Sequence, residues 1–353
     1  MTSSFSVRLL NPQESEDASV IAKLREEGYA FVDTYDEQCK ELADIRDPQS
    51  VGSEPAALTT EPGEFVAVYP WRKSLVRIVG PEAYRELRTN RNRNLLTSDE
   101  QARFAQAKIG FAGLNVGNPG ALCIALEGGA HTVKLADLDE LSVTNLNRFR
   151  AGLPDLGMNK ATLSAQQILE VDPYYDVELW EQGLALDTIE AFIADPKIDL
   201  LVEEMDALPL KLRVREVARE HGVPVIMVTG NGEGVLLDVE RYDLEPDTPI
   251  LNGLLPEHVR AAIAGGIPPK TPQEKVALAR DFMGTEYLDT RLVESFAQFG
   301  ETLVGIPQLA ESSFMRGAAL CYAAKAIVLG RPLSSGRYAF SFDSGLTRAD
   351  HQK

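Results

Sequence analysis

From residue 108 to residue 230 the hydrophobic pattern switches back and forth between two periods. Apolar-rich runs read as strands: KIGFAGL, HTVKLADLD, YDVELWEQ, IDLLVEE and PVIMVTG. Between them lie segments of helical period: PGALCIALEGG, KATLSAQQILEVDP, DTIEAFIAD and PLKLRVREVAREHG. Strands that are apolar almost throughout must be covered on both faces, and strand–helix alternation makes the strands parallel. The pattern therefore predicts an α/β fold with a Rossmann-like, mostly parallel sheet and helices on both faces. GEGVLLDVERYD adds a further strand, expected to run antiparallel at an edge.

The flanks differ in character. Residues 1–75 read as an N-terminal α+β region. One helix is signalled by Asn11, Pro12 and Glu14 and stopped at Gly28, a second lies in TYDEQCKELADIR, and a short strand in FVAVYPW. QSVGSEPAALTTEPGE is loop-like. The core domain spans 76–240 and opens with two helices, the second carrying a Thr97/Glu100 capping box. Residues 241–300 are Pro-rich with short helical stretches, an inserted helical cap. Residues 301–353 supply a long small-residue helix and a closing strand, RYAFSFD.

Composition excludes whole classes. The net charge of −18 over 353 residues opposes a nucleic-acid or anionic-membrane binder, which needs a basic face. Neither a membrane-length apolar run nor a signal-peptide pattern is evident, so a soluble cytoplasmic protein is expected. Cys39, Cys123 and Cys321 are too few and too scattered for a disulfide framework or a CxxC zinc site.

The chemistry is concentrated after the first core strand. GLNVGNPG, residues 113–120, stands where a parallel strand turns into a helix, the place where free N–H groups attract phosphate. Gly113, Gly117 and Gly120 are present, whereas Asn115 and Asn118 replace glycines of the usual pattern. Asn tolerates left-handed backbone, so an altered but working phosphate loop is expected. Asp137 ends the next strand, where a carboxylate accepts hydrogen bonds from ribose hydroxyls, with Asp139 beside it. To this point a nicotinamide dinucleotide fits as well as ATP. SVTNLNRF then places Asn145 and Arg148, and LGMNK places Lys160 at a helix start. An arginine fork and a lysine point charge together suit a triphosphate.

The run GLNVGNPGALCIALEGGAHTVKLADLDELSVTNLNRF…GMNK resembles the adenylating domain of the ubiquitin-activating-enzyme superfamily, the ThiF/MoeB/HesA family. A narrower likeness is to ThiF-like proteins of actinobacterial type, some joined to a nitroreductase-like domain. The resemblance covers roughly residues 85–240, with the closing helix and strand. It implies an ATP-dependent adenylyltransferase that activates a carboxylate as an acyl adenylate and releases pyrophosphate. By the same likeness, Gly113, Asn115 and Gly117 pass under the phosphates, Asp137 and Asp139 hold the ribose end, and Asn145 and Arg148 orient the α-phosphate. Lys160 is the phosphate lysine. In VEEMDAL, Asp206 is either the Mg²⁺ ligand, with Glu203 close by, or the N-cap of the next helix. TNRNRN makes Arg93 the arginine that reaches the γ-phosphate of a neighbouring copy, with Asn92 beside it, which implies a homodimer; the alternative is a solvated basic run.

Members that form thioesters carry a Cys after the later strand, and many carry zinc-binding CxxC pairs. This chain has neither, so no thioester step and no zinc are expected, and Cys123 and Cys321 read as core residues. ATP and Mg²⁺ are the cofactors implied, and a peptide or small carboxylic acid the substrate. Two alternatives stay open: a non-catalytic member that binds nucleotide or a partner, and an NAD(P)-dependent oxidoreductase on the same sheet.

Overall fold

The computed structural model describes residues 3–49, 58, 60–264 and 271–346. Strand β1 (Ser3–Phe5) lies on the edge of the large sheet. The chain then builds a small sheet of its own: β2 (Arg8–Leu10), helix α1 (Ser15–Glu26), β3 (Ala30–Asp33), α2 (Tyr35–Arg46), β4 (Glu64–Tyr69) and β5 (Ser74–Val79). Its order is β2-β4-β5-β3. The division expected between residues 75 and 76 falls inside β5. α1 starts at Ser15, later than the Asn11 signal suggests, because the Asn11 side chain accepts the Gln13 N–H in a turn instead. Gly28 stops it with φ +88°. Most of the loop-like stretch 49–64 lies outside the described residues.

Helices α3 (Pro81–Thr89) and α4 (Ser98–Gln106) follow, α4 closed by the Thr97/Glu100 capping box. The core then alternates: β6 (Lys108–Ala112), α5 (Leu114–Leu126), β7 (Thr132–Ala136), α6 (Lys160–Val171), β8 (Asp176–Trp180), α7 (Ile189–Ala194), β9 (Leu200–Glu203), α8 (Leu208–Glu220), β10 (Val225–Asn231) and β11 (Gly234–Glu240). Three short helices, α9 (Glu257–Ala264), α10 (Pro272–Met283) and α11 (Thr290–Phe296), occupy the expected insertion. α12 (Ala310–Val328) and β12 (Gly336–Ser341) close the sheet.

The large sheet has the order β1-β8-β7-β6-β9-β10-β11-β12. Its five central strands, β8 to β10 in that order, are parallel. β11 is antiparallel to β10 but is not an edge: β12 pairs along its far side, which is why β11 is buried from end to end. Strand period 2 sorts the side chains. Ile109, Phe111, Leu135 and Val202 pack against α5, α6 and α12 on one face. Ala112, Ala136 and Leu201 pack against α7 and α8 on the other. Lys134 falls on that second face between apolar neighbours. Its ammonium is satisfied by the carbonyls of Phe192 (3.0 Å) and Asp195 (2.8 Å) at the end of α7. The small sheet docks on the end of α6: the Tyr84 hydroxyl donates to the Val171 carbonyl (2.8 Å), and Tyr174 returns a bond to the Val79 carbonyl (2.6 Å).

On the second face a charged network ties β9, α8 and β11 together. Arg215 donates to Glu203 (2.5 Å) and Glu240 (2.6 Å), and Lys211 reaches Glu203 at 3.1 Å. Glu240 also accepts the Tyr242 hydroxyl and the Leu251 N–H, both within the segment 241–300. All three members of the Glu203–Arg215–Glu240 set are fully buried. Removing one partner leaves uncompensated buried charge, so Arg215→Met is expected to destabilise the fold by roughly 3–5 kcal/mol. Urea unfolding of the two proteins measures it, and a loss under about 1 kcal/mol contradicts the network's role.

Candidate functional site

The parallel strands β6 and β9 are neighbours although the chain leaves them in opposite directions, toward β7 and β8 on one side and β10 on the other. The crevice beyond their C-terminal ends is the place where doubly wound sheets bind ligands. Gly113 occupies it with φ +93°. A Cβ there would stand 2.5 Å from the Glu204 carbonyl oxygen, so the end of β6 touches the end of β9 only because the residue is glycine.

The phosphate loop expected over 113–120 is not a loop. α5 begins at Leu114, and Asn115, Gly117, Asn118 and Gly120 form its first two turns. The two asparagines are therefore not left-handed turn residues. Asn118 bridges α5 to α6, donating to Ser164 and Gln167 at 2.9 Å each. Gly120 lets α12 approach, since a Cβ would meet Leu320 at 2.6 Å. What the crevice receives is the N-terminus of a helix, with its first-turn N–H groups and positive dipole end.

Asp137, 8% exposed, closes that end. One oxygen accepts the Leu114 N–H (2.6 Å) and the other the Asp139 N–H (2.8 Å); burial pushes its pKa up against these bonds. Asn159 caps α6 through Ala161 and Thr162 and donates to the Asp137 carbonyl. This places Lys160 at the helix start, as expected. Its buried ammonium pairs with Asp139 at 3.0 Å and does not stand free. Asn145 shapes the next turn, its side-chain oxygen accepting from the Ser142 N–H at 3.2 Å. Arg148 follows, with one nitrogen donating to the Thr144 carbonyl (2.8 Å) and Asn147 (2.9 Å), while its Nε is buried without a partner. Desolvation lowers its pKa and the charge of Asp206 opposes that shift.

Asp206 is exposed in the bend after β9. The N-cap of α8 is Ala207, with no side-chain cap bond, which removes the capping alternative for Asp206. Glu203, expected near the metal position, points to the opposite face and is consumed by Arg215 and Lys211. Arg93 is not brought to this edge. It is exposed after α3 and lines a cleft of about 950 Å³ with Arg85, Gln101, His131 and Thr132. Thr132 opens β7, so this cleft lies at the other end of the parallel strands. Asn92 serves structure, donating to Gln101 and to the Glu127 carbonyl.

Three residues absent from the sequence-based set complete the crevice. Glu204 accepts the Val228 N–H at 2.6 Å, and burial pushes its pKa up to about 8. Arg316, on α12, is 2% exposed, and burial pushes its pKa down to about 10. Arg150 donates to Ser313 on the same helix. Arg316 had a legible signal, a lone cation inside the apolar run SSFMRGAALC, where charge is rarely buried without cause. Cys123 and Cys321 are indeed packed between α5 and α12, and they lie next to each other, which their spacing in sequence does not reveal.

The fold is a doubly wound α/β domain with a crevice at its topological switch point. The ThiF family model matches residues 89–285, more than half of the chain, and the chain belongs to the ThiF family. It is 35% identical over 348 residues to "Uncharacterized protein MT1398" of Mycobacterium tuberculosis (strain CDC 1551 / Oshkosh). The match covers 98% of this chain and 47% of that protein, so the chain spans about half the length of the curated relative it matches. Among solved structures it is similar to PaaA, with a TM-score of 0.51 and 19% identity over 75% of this chain and 78% of that one. It is also similar to the E. coli tRNA N6-threonylcarbamoyladenosine dehydratase TcdA in complex with AMP. There the TM-score is 0.49, with 16% identity over 69% of this chain and 95% of that one. Among the described residues, no helix is long and apolar enough to cross a membrane.

Gly113→Ala forces a Cβ into the Glu204 carbonyl at a backbone angle that alanine avoids. It is expected to cost roughly 2 kcal/mol or more of stability. Thermal unfolding checks this, and an unchanged Tm contradicts the β6–β9 contact.

Proposed function

We propose that this chain binds ATP in the crevice between β6 and β9 and adenylates a carboxylate, releasing pyrophosphate. The observation that carries the reading is the convergence at one sheet edge of the α5 N-terminus, Asp137, Arg148 and Asp206, drawn from four separate segments. In this reading the ribose lies toward Asp137, and the phosphates lie over the first turn of α5 with Arg148 beside the α-phosphate. A carboxylate oxygen attacks the α-phosphorus, the bond to the bridging oxygen breaks, and pyrophosphate leaves with the electron pair. Positive charge placed beforehand where negative charge grows is the main contribution of such a site. Lys160 joins it by exchanging Asp139 for phosphate oxygens.

The residues present suit a magnesium ion. Asp206 makes no hydrogen bond or ion pair among the described residues, and Mg²⁺ commonly takes one or two carboxylates together with phosphates and water. Bound there, the ion would neutralise phosphate charge. None of the three cysteines stands at the crevice: Cys39 is on α2, and the other two lie between α5 and α12. This supports direct attack on the acyl adenylate by a nucleophile of the substrate, a peptide or small carboxylic acid.

Arg93 lies at the far end of its own sheet, so a role at the phosphates requires a second copy of the chain, and a homodimer is part of the proposal. Mixing Arg93→Ala with Asp137→Ala chains then restores one complete site per mixed dimer. About a quarter of parental activity is expected on random exchange. No recovery places Arg93 outside the reaction.

One observation favours a second reading, a member that binds nucleotide or a partner without turnover. Both oxygens of Asp137 are already engaged by backbone N–H groups, and the glycine loop has become helix. The family match lends no support to an NAD(P)-dependent oxidoreductase.

Calorimetry with ATP and Mg²⁺ separates the outcomes. The parent is expected to bind, and Asp137→Ala and Arg148→Ala to bind about tenfold to a hundredfold more weakly, the loss for a hydrogen bond to a charged group. Binding followed by carboxylate-dependent pyrophosphate exchange supports the enzyme. Binding without exchange across a panel of acids and peptides supports the second reading, and no binding by the folded parent rejects both nucleotide readings.

A further inference from the structure

We propose that Arg316 and Arg150 form an oxyanion site that takes the carboxylate of the substrate, next to but separate from the phosphate edge. The identity of the anion rests on the adenylation reading above; the existence of the site does not.

Arg316 stands on the second turn of α12 and is almost wholly buried. Both terminal nitrogens of its guanidinium donate to one neutral acceptor, the Gln308 side-chain oxygen, at 3.2 Å each. Its Nε is buried with no partner. A guanidinium carries five N–H donors, and here no carboxylate lies within ion-pair distance among the described residues. Buried charges are ordinarily paired. The other two buried arginines among the described residues follow that rule, Arg215 with Glu203 and Glu240 and Arg241 with Asp243, so Arg316 is the exception among them.

Arg150 repeats the pattern a short way off. One of its nitrogens donates to Ser313 (3.1 Å) and to the Arg148 carbonyl (3.3 Å), its guanidinium lies over the Phe314 ring at 4.1 Å, and it makes no ion pair among the described residues. Ser313 donates to the same Arg148 carbonyl at 2.9 Å, which locks the first turn of α12 to the segment carrying both arginines. The charges of Arg148 and Arg150 both bear on Arg316, opposed there by the Glu204 carboxyl. Gly230, near the end of β10, lets the Arg316 guanidinium lie close against the strand: a Cβ would stand 3.3 Å from an Arg316 terminal nitrogen and 3.4 Å from the Ser312 hydroxyl.

Three guanidinium groups held close, two of them with buried and unpartnered Nε atoms, make a cradle for an oxyanion. The planar fork of arginine matches a carboxylate. The Asp206 charge bears on Arg148, whereas Arg316 is carried by α12 and Arg150 is hydrogen-bonded to that helix. The group next in line to the α-phosphate is the attacking one. With one carboxylate oxygen held by Arg316, the other is free to attack; the carboxylate is already ionised, so the step moves no proton.

Sulfate is a suitable probe, being a compact oxyanion with no nucleotide character. The full chain is titrated with sulfate at constant ionic strength against chloride, with and without saturating Mg²⁺ and the non-hydrolysable analogue AMPCPP, and thermal stabilisation is read. Sulfate is expected to stabilise the parent whether or not AMPCPP is bound. Arg316→Gln is expected to lose about tenfold or more in sulfate affinity while AMPCPP affinity changes less than about threefold. Arg150→Gln, at a less buried position, gives the same split where the Arg316 variant is too unstable to assay. Competition between sulfate and AMPCPP assigns these arginines to the nucleotide phosphates and overturns the proposal, as does absence of sulfate binding by the parent. Sulfate binding that is lost in the variants, in a parent that binds no AMPCPP, upholds the oxyanion site while rejecting the ATP reading.

Discussion

The contact on which the site depends is the approach of two backbones, Gly113 at the end of β6 and Glu204 at the end of β9. Gly113 N–H donates to the Ala136 carbonyl (2.8 Å) and Glu204 N–H to the Ala112 carbonyl (2.7 Å), so three parallel strands are pinned together at their last residues. Any Cβ at 113 would push β9 away and with it Glu204, Met205 and Asp206. The same pin aims α5, whose first residue follows Gly113 directly, and thereby fixes where its dipole points. Helix terminus, capping aspartate and the candidate metal carboxylate thus share one cause.

Two adjacent glutamates show how strand geometry divides structural work from site chemistry. Glu203 and Glu204 differ by one residue, and the strand's alternation sends them to opposite faces. Glu203 meets Lys211 and Arg215 on α8, and these neighbours hold its pKa below the usual range despite full burial. Glu204 makes no ion pair among the described residues; burial outweighs the Lys211 charge, the Val228 N–H and the Arg316 charge, and its pKa rises. The first is a tie between layers. The second belongs to the crevice, where the Arg316 charge bears on it.

The sheet was legible because its strands are continuously apolar and its helices carry clear period, from KIGFA to PVIMVTG. Strands β2 and β3 were not, since RLL and AFVD are short and partly exposed, nor was β5, whose apolar run SLVRIV is interrupted by Arg77. Asp137 and Lys160 could be placed because they sit by a strand end and at a helix start that the pattern defines, and Asn145 and Arg148 because SVTNLNRF carries the family resemblance. The loop was misjudged for a different reason: its Asn and Gly residues suggest irregular backbone, whereas their spacing serves the packing of α5 on α6 and α12. Arg316 and Arg150 escaped because their meaning depends on α12 lying across β10, a contact between segments more than eighty residues apart. Arg93 was visible as a residue, but only the fold reveals that it lies at the wrong end of its own sheet.

The most direct test is a crystal structure of the chain with AMPCPP and Mg²⁺. Density is expected beyond the C-terminal ends of β6 and β9, with phosphate oxygens at the first turn of α5 and near Arg148, and the ribose at Asp137. Nucleotide bound instead in the cleft beside His131 and Thr132, or a crevice still closed by Asp137 at saturating ligand, would contradict it.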